Sequence, residues 1–256
     1  MNVNPKVSIL LPTYNGETYV CDAIKSVVQQ SWKDWELIIC DDASFDDTYA
    51  RAMSCSSGDV RILFHKNKKN VGLAANLNVC ITMARGEYIA RIDEDDTWTN
   101  SDKLEKQIDY LDRNPDCSLI GTAFRIVDEG GSHIRDVMPP DIDDVSIRSV
   151  MLLYNPFGHS TVMFRKKDVL NLGGYDTTIR YGEDYDLWLR LGRLGKFAIL
   201  PDISMQYLMR SNAMSGVHNR GKQVRLHARL LRRYGRYYPR FFVAIMRLCI
   251  YMLTKK

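Results

Sequence analysis

No low-complexity tract, no repeat of fixed period and no apolar run of the roughly 20 residues needed by a membrane-crossing helix occurs in this chain of 256 residues. A disordered chain, a solenoid and a helical membrane bundle are thereby excluded. Paired cysteine spacings are missing too. Cys21, Cys40, Cys55, Cys80, Cys117 and Cys249 lie scattered, and no apolar run near the N-terminus could serve as a secretory signal. These thiols are expected to be small buried hydrophobes in a reducing, cytoplasmic setting. Neither the P-loop pattern nor the glycine-rich dinucleotide fingerprint is present, so any phosphate is held in another way. Acidic residues are absent from the last stretch: from Arg210 onward there are 12 Lys or Arg and no Asp or Glu, against 23 basic and 31 acidic residues before it. Such a split suggests that the tail faces a polyanion while the acidic body holds cations.

The composition, 45% hydrophobic and 26% charged, is that of an ordinary globular protein with room for one large domain and a short appendage. An apolar run over residues 7–11 ends at Pro12 and is followed by Val20, Ala23, Ile24, Val27 and Val28 at helical spacing. Residues 35–40 form the next buried strand, and Asp46 or Asp47 can cap the helix after it. Residues 60–64 and 88–92 read as further strands around a helix face of Leu73, Leu77, Cys80, Ile81 and Ala84. This alternation predicts an α/β fold, a mostly parallel sheet flanked by helices. Later segments read as a helix over 102–113, an apolar run over 117–124, a strand over 161–164 and a helix over 183–194. Residues 127–144, with Gly130, Gly131, Pro139 and Pro140, form a long excursion of the kind that is usually functional. The core falls near residues 5–205, with the remainder a helical appendage.

Ligands of open parallel sheets bind where loops leave the C-terminal strand ends. Polar residues collect there: Pro12, Thr13, Tyr14 and Asn15 after the first strand, Asp41 and Asp42 after the second, Asp93, Glu94, Asp95 and Asp96 after the fourth. Four successive carboxylates repel one another unless a cation sits among them. Their hard oxygens suit magnesium or manganese, which commonly bind one or two carboxylates plus substrate phosphates. The plainer alternative is a solvated turn with helix-capping duty, and it applies equally to Asp41 and Asp42 and to the pair Glu183 and Asp184. The last pair opens a helix with apolar residues Leu187, Trp188 and Leu191; a helix N-terminus favours the anion and keeps Asp184 able to take a proton.

Five blocks, VSILLPTYNGE, IICDDASFDDT, NVGLAANLN, GEYIARIDEDD and GEDYDLWLR, occur in the order seen in family 2 glycosyltransferases, and over roughly residues 5–205 the chain resembles bacterial members of that family. The resemblance implies the type A glycosyltransferase fold. Residues 1–205 would be catalytic, with a nucleotide-sugar half about 1–100 and an acceptor half about 101–205. The implied reaction is inverting transfer of a sugar, glucose or galactose, from a uridine diphosphate donor, giving a β-linkage in O-antigen or capsule assembly. Carried over by position, Pro12, Thr13 and Tyr14 line the nucleotide pocket, Asp42 accepts a hydrogen bond from the base, and Asn70 and Gly72 bring backbone close to the nucleotide. Asp95 goes to Mn2+ or Mg2+, Asp93 to the ribose or the metal shell, and Asp96 extends the motif as a further ligand. Asp184 is the catalytic base. Trp98, His159 and Glu183 are assigned to the acceptor or diphosphate, with a structural histidine the alternative for His159; Trp32, Trp35 and Trp188 serve the core. A metal-dependent nucleotidyltransferase or phosphohydrolase lacks a positive signal, and the joint presence of Asp42, Asp95 and Asp184 argues against a non-catalytic membrane-associated nucleotide-binding protein.

In the tail, over residues 206–256, Arg225, Arg229, Arg232, Arg233, Arg236 and Arg240 interleave with Leu226, Leu230, Leu231, Tyr234, Tyr237 and Phe241. The 13 residues 241–253 are apolar apart from Arg247, too short to span a bilayer but long enough to lie in its interface. The expectation is peripheral attachment at the cytoplasmic face of a bacterial inner membrane, with an acceptor sugar on a lipid diphosphate. No nucleic-acid motif accompanies the basic run. A basic helix packed on the acidic body is the alternative.

Overall fold

The computed structural model describes residues 4–138, 143–210 and 220–254. Strand β1 (Val7–Thr13) is followed by α1 (Val20–Val28), β2 (Trp35–Asp41), α2 (Thr48–Cys55), β3 (Ile62–Lys66), α3 (Leu73–Met83) and β4 (Tyr88–Arg91). Every residue of β1, β2 and β4 is buried, as unbroken apolar runs require when helices cover both faces. These strands pair in parallel in the order β3-β2-β1-β4. The chain passes from β1 to β2 and β3, then returns to β4 on the other side of β1. That reversal opens a crevice beyond the C-terminal ends of β1 and β4.

The second half comprises β5 (Thr97–Trp98), α4 (Lys103–Arg113), β6 (Cys117–Val127), β7 (His133–Val137), α5 (Asp144–Val150), β8 (Met163–Arg165), α6 (Lys166–Asn171), α7 (Glu183–Leu191) and β9 (Lys196–Leu208). The sheet continues β4-β8-β6-β9-β5, with β8 antiparallel to both β4 and β6. An antiparallel neighbour needs no crossover helix, and a short 3₁₀ turn, His159–Thr161, leads straight into β8. The parallel reading thus describes the first half, while the second is mixed. Within the excursion after β6, Asp128 Oδ1 accepts hydrogen bonds from the N–H groups of Gly130 (2.9 Å) and Ser132 (2.8 Å), turning the chain into the exposed strand β7. Pro139 and Pro140 lie outside the described residues.

Alternate residues of the strands feed two cores. Leu10, Ile38 and Ile89 face α3, α5, α6 and α7, whereas Ile9, Leu11, Leu37 and Ile39 face α1, α2 and α4. One expectation is corrected. A disulfide joins Cys21 of α1 to Cys55 of α2, so those two are not separate thiols; Cys40, Cys80 and Cys117 are buried free cysteines and Cys249 is an exposed one. Spacing along the chain could not reveal the pair, because α1 and α2 are brought together only by the parallel β1–β2 packing. The tail forms the expected C-terminal helices, α8 (Arg220–Tyr234) and α9 (Phe241–Leu253), and they pack on the body: Leu230, Leu231, Tyr234, Tyr238 and Ala244 are buried in the same core as α7. The Tyr238 hydroxyl donates to Leu189 O (2.7 Å), and Tyr234 donates to Asp186 (2.6 Å). Among the described residues no helix is long and apolar enough to cross a membrane.

Candidate active site

The ends of β1 and β2 lie side by side, with Thr13 opposite Asp41 and the Asp42 N–H donating to Thr13 O (2.8 Å). Pro12 and Thr13 are buried, whereas Tyr14 is exposed and meets the exposed ring of Phe45 edge-on at 6.2 Å. This aromatic pair beside the strand ends offers flat apolar surface of the kind a base can lie against. Asp41 is fully buried and accepts from Ser44 N (3.2 Å) and the Ser44 hydroxyl while pairing with Lys66 (3.2 Å); it shapes the turn after β2. Asp42 is almost as buried, and three N–H groups bind its carboxylate: Asn67 Nδ2 (2.8 Å) and Val71 N (2.9 Å) on Oδ1, Gly72 N (2.8 Å) on Oδ2. A carboxylate offers about four acceptor positions, so Oδ2 keeps one for a further donor. Gly72 holds φ at +88°, a left-handed value that other residues adopt at a cost, and this aims its N–H at Asp42 as α3 begins. Asn70 is exposed in the same loop.

After β4 the carboxyl groups of Asp93, Asp95 and Asp96 take different partners. Arg91, fully buried, grips both oxygens of Asp93. The Ser160 hydroxyl accepts from Asp93 N (2.9 Å) and binds Asp96 Oδ2, while Asp96 Oδ1 is buried with no hydrogen-bond partner. Asp95 faces Arg210, which stands just beyond β9, with Nε 3.0 Å from its carboxylate. Burial, together with the Asp93 and Asp95 charges, pushes the proton affinities of Glu94 and Asp96 well above the ordinary range. Burial and Asp93 raise that of Asp95 against the opposing pull of Arg210. Crowded, desolvated carboxylates of this kind are stable as anions only beside cations.

Helix α7 brings the remaining carboxyl groups. Its N-cap, Gly182, has φ +74°, and a Cβ there would lie 2.5 Å from Leu226 of α8, so the tail helix seats directly on the start of α7. Asp184 Oδ2 accepts from Asn155 Nδ2 (2.9 Å). The helix-terminus argument predicts easy ionisation, yet burial dominates and raises the Asp184 pKa, with the Asp93 charge adding to it. Glu183 is buried and pushed up to about 8 by desolvation and by Asp184. His159 is partly buried against Tyr175 and Trp188, its Nε2 3.1 Å from the Tyr175 hydroxyl. Burial and the Arg91 charge hold it neutral. Trp98 does not line an open pocket: it is 3% exposed, its indole N–H donates to Ser160 O (2.8 Å), and Lys103 lies 4.2 Å from its ring. It backs the serine that holds Asp93 and Asp96.

A family model, glycosyl transferase family 2, matches residues 8–172, which hold the strand-end residues Thr13, Asp42 and Asp93 to Asp96; Glu183, Asp184 and Arg210 lie beyond it. The chain belongs to that family. EpsE of Bacillus subtilis (strain 168), itself assigned as a glycosyltransferase by inference, is 40% identical over 194 residues, which are 74% of this chain and 68% of that protein. The amylovoran biosynthesis glycosyltransferase AmsE of Erwinia amylovora is 31% identical over 202 residues, 78% of this chain and 74% of its own. The fold is shared with S. aureus TarS 1-349 in complex with UDP-GlcNAc, with TM-score 0.69 and 19% identity over 88% of this chain and 66% of that one. It is shared also with the mannosyltransferase PcManGT of Pyrobaculum calidifontis in complex with GDP-Man and Mn2+, at TM-score 0.71 and 18% identity over 98% and 70% of the two chains. The chain therefore spans just under two thirds of TarS 1-349 and has the type A glycosyltransferase fold.

For this family 2 member the fit of a divalent cation can be tested on the donor set. Among the described residues no three His, Cys, Asp or Glu side chains form a cluster that could cage a metal. What fits is a cation held by one or two carboxylates and completed by substrate phosphates. Asp95 meets that description, facing a guanidinium group, as does the unpartnered Asp96 Oδ1. Asp93 is gripped by Arg91 through both oxygens and keeps a lone pair on each. Arg91, Asn155, Ser160 and Arg210 are site residues that the sequence reading missed. Asn155 and Ser160 stand in the same NPFGHST block as His159, and polar residues closing a gap between apolar segments were the available signal.

Proposed function

We propose that the chain transfers a hexosyl group, from a uridine diphosphate sugar such as UDP-glucose or UDP-galactose, to a hydroxyl of a lipid-diphosphate-linked sugar. The anomeric configuration inverts to a β-linkage, and the product belongs to a bacterial surface polysaccharide such as O-antigen or capsule. One observation carries the reading: Asp42 stands just past the end of β2, Asp95 and Asp96 follow β4, and Asp184 at the start of α7 is near enough to feel the Asp93 charge, which supports a nucleobase contact, a cation site and a base respectively. Asp184 takes the acceptor hydroxyl proton as that oxygen attacks the anomeric carbon. Asn155 fixes its orientation, and the proton affinity raised by burial makes it a stronger base than an exposed aspartate. Arg210 supplies positive charge toward the departing diphosphate. A Mn2+ or Mg2+ ion at Asp95 would neutralise that leaving group when bound. The free lone pair of Asp42 suits the imide N–H of uracil. AmsE, named for amylovoran biosynthesis, supports a polysaccharide product, and the UDP-GlcNAc complex of TarS supports a uridine donor.

Thermal-shift titration with UDP-glucose, UDP-galactose, UDP-GlcNAc and GDP-mannose, each with and without Mn2+, tests the donor. Stabilisation by a uridine diphosphate sugar that requires the metal is expected; stabilisation by GDP-mannose alone would overturn the assignment. We place the protein at the cytoplasmic face of the inner membrane. Maleimide labelling of Cys21 and Cys55 in freshly lysed cells reads the compartment, because a reducing cytoplasm leaves both thiols open to label. A fully protected pair contradicts this location.

A further inference from the structure

The tail contributes to the core and still presents an outer surface. On α8, Leu226, Leu230, Leu231 and Tyr234 turn toward the body, while Arg225, Arg229 and Arg232, followed by Arg236 in the turn just after the helix, recur every three or four residues and are exposed. On α9, Phe241, Ala244 and Leu248 pack inward. The opposite side of that helix leaves Phe242 82% exposed, Met246 57%, Ile250 54% and Leu253 81%. The two helices pack on each other: Phe241 lies against Gly235, and the Tyr251 hydroxyl donates to Gln223 (2.9 Å). An arginine stripe and an apolar stripe thus run along one helical hairpin, and neither is covered among the described residues.

We infer that this outer face of the α8–α9 hairpin docks on an anionic lipid bilayer, with α9 lying in the plane of the interface. Exposed large apolar side chains on a soluble surface mark a binding face, and arginines beside them match negative headgroups. The charge distribution favours lipid over other occupants. No acidic residue occurs from Arg210 onward, so nothing in this segment repels an anionic surface. A second copy docking symmetrically would bring two arginine stripes together and be opposed by their repulsion. Nucleic acid would answer to the arginines and leave Phe242, Met246 and Leu253 without a role. Through Leu226 on Gly182 and Arg233 on Asp176 (2.9 Å) and Asp186 (3.1 Å), the docked hairpin fixes the start of α7 relative to the bilayer. The inference deepens the lipid-linked acceptor reading and rests on it only for the purpose of docking, not for its geometry.

The test is sedimentation of the purified full chain with vesicles of phosphatidylcholine, with and without phosphatidylglycerol, in the absence of any donor sugar. Co-sedimentation with the anionic vesicles alone is expected, weakening as salt is raised. Arg225→Gln, Arg229→Gln, Arg232→Gln and Arg236→Gln combined should lower partitioning roughly 10²- to 10³-fold, since each basic residue near an anionic surface is worth about fivefold. Phe242→Ser, Met246→Ser and Leu253→Ser combined should lower it at least about tenfold. Both sets change exposed residues, so circular dichroism and the thermal midpoint should match the parent, and donor binding should persist. That separates failure of docking from failure of the transferase reading, which donor titration tests by itself. Absence of vesicle binding, a serine variant that binds vesicles as the parent does, or a parent dimer that those serines dissociate would each overturn the inference.

Discussion

Six carboxyl groups, Asp93 to Asp96 with Glu183 and Asp184, feel the buried guanidinium of Arg91, and Asp93 is the one it holds directly. The others are left with raised proton affinities, which has a consequence for stability. Glu183 has its native pKa pushed up to about 8 from an ordinary 4.5, chiefly by burial. The folded protein therefore holds this proton more tightly than the unfolded chain. The associated stability is complete below about pH 4.5, falls as the pH climbs toward 8 and levels off above it. Glu183→Gln removes that loss, so its melting temperature relative to the parent, without donor or metal, should rise across this window and show little gain at pH 4. A constant difference at every pH would show that Glu183 titrates normally. The carboxylates themselves were legible in the sequence because they stand where strands end. Arg91 was not, because a charged residue inside the strand read over 88–92 carries no local signal that it is fully buried, within reach of His159 and Tyr175 from distant segments. Asp184 was singled out in the sequence but its electrostatics were not legible there, since helix-terminus stabilisation is outweighed when the same turn is desolvated.

Elements were legible in proportion to how local their signals were. The strands and helices of the first half follow from apolar runs and helical spacing, and their predicted limits fall within a few residues of β1 to β4 and α1 to α3. The long strand β9 was not recognised, because Pro201 and Asp202 interrupt its apolar pattern and its register with β6 shifts near Thr122. Covalent and tertiary links between elements were invisible. The Cys21–Cys55 disulfide staples α1 to α2 across 34 residues, for which chain-entropy reasoning gives about 3–4 kcal/mol. Cys21→Ser should lower unfolding stability by up to that amount under oxidising conditions and by little in dithiothreitol, as read by urea denaturation. Equal curves in both conditions would show that the bond does not form in solution. The tail is likewise tied to the body: because Leu230 is 2% exposed in the core beside α7, Leu230→Ala should cost about 2–4 kcal/mol. Truncation after residue 220 should therefore produce unfolding or aggregation, and it is no clean probe of membrane attachment.

At the scale of the whole molecule, an acidic body with a basic tail separates two tasks. The body gathers carboxylates at the strand ends of a type A glycosyltransferase fold; the tail packs one apolar side on the body and leaves most arginines of α8 and the far apolar side of α9 exposed. Fold and family were legible because five blocks of sequence mark strand ends and helix starts, whereas donor and acceptor depend on side chains from distant segments such as Asn155 and Arg210. The account stands most directly on Asp184 as the base of a sugar transfer. The measurement is the rate of uridine diphosphate release at saturating donor and acceptor for Asp184→Asn, beside donor affinity by calorimetry. The account predicts a turnover lower by about 10²- to 10⁴-fold with donor affinity unchanged within a few-fold. Turnover close to that of the parent, or a loss of donor affinity that accounts for the whole decline, would contradict it.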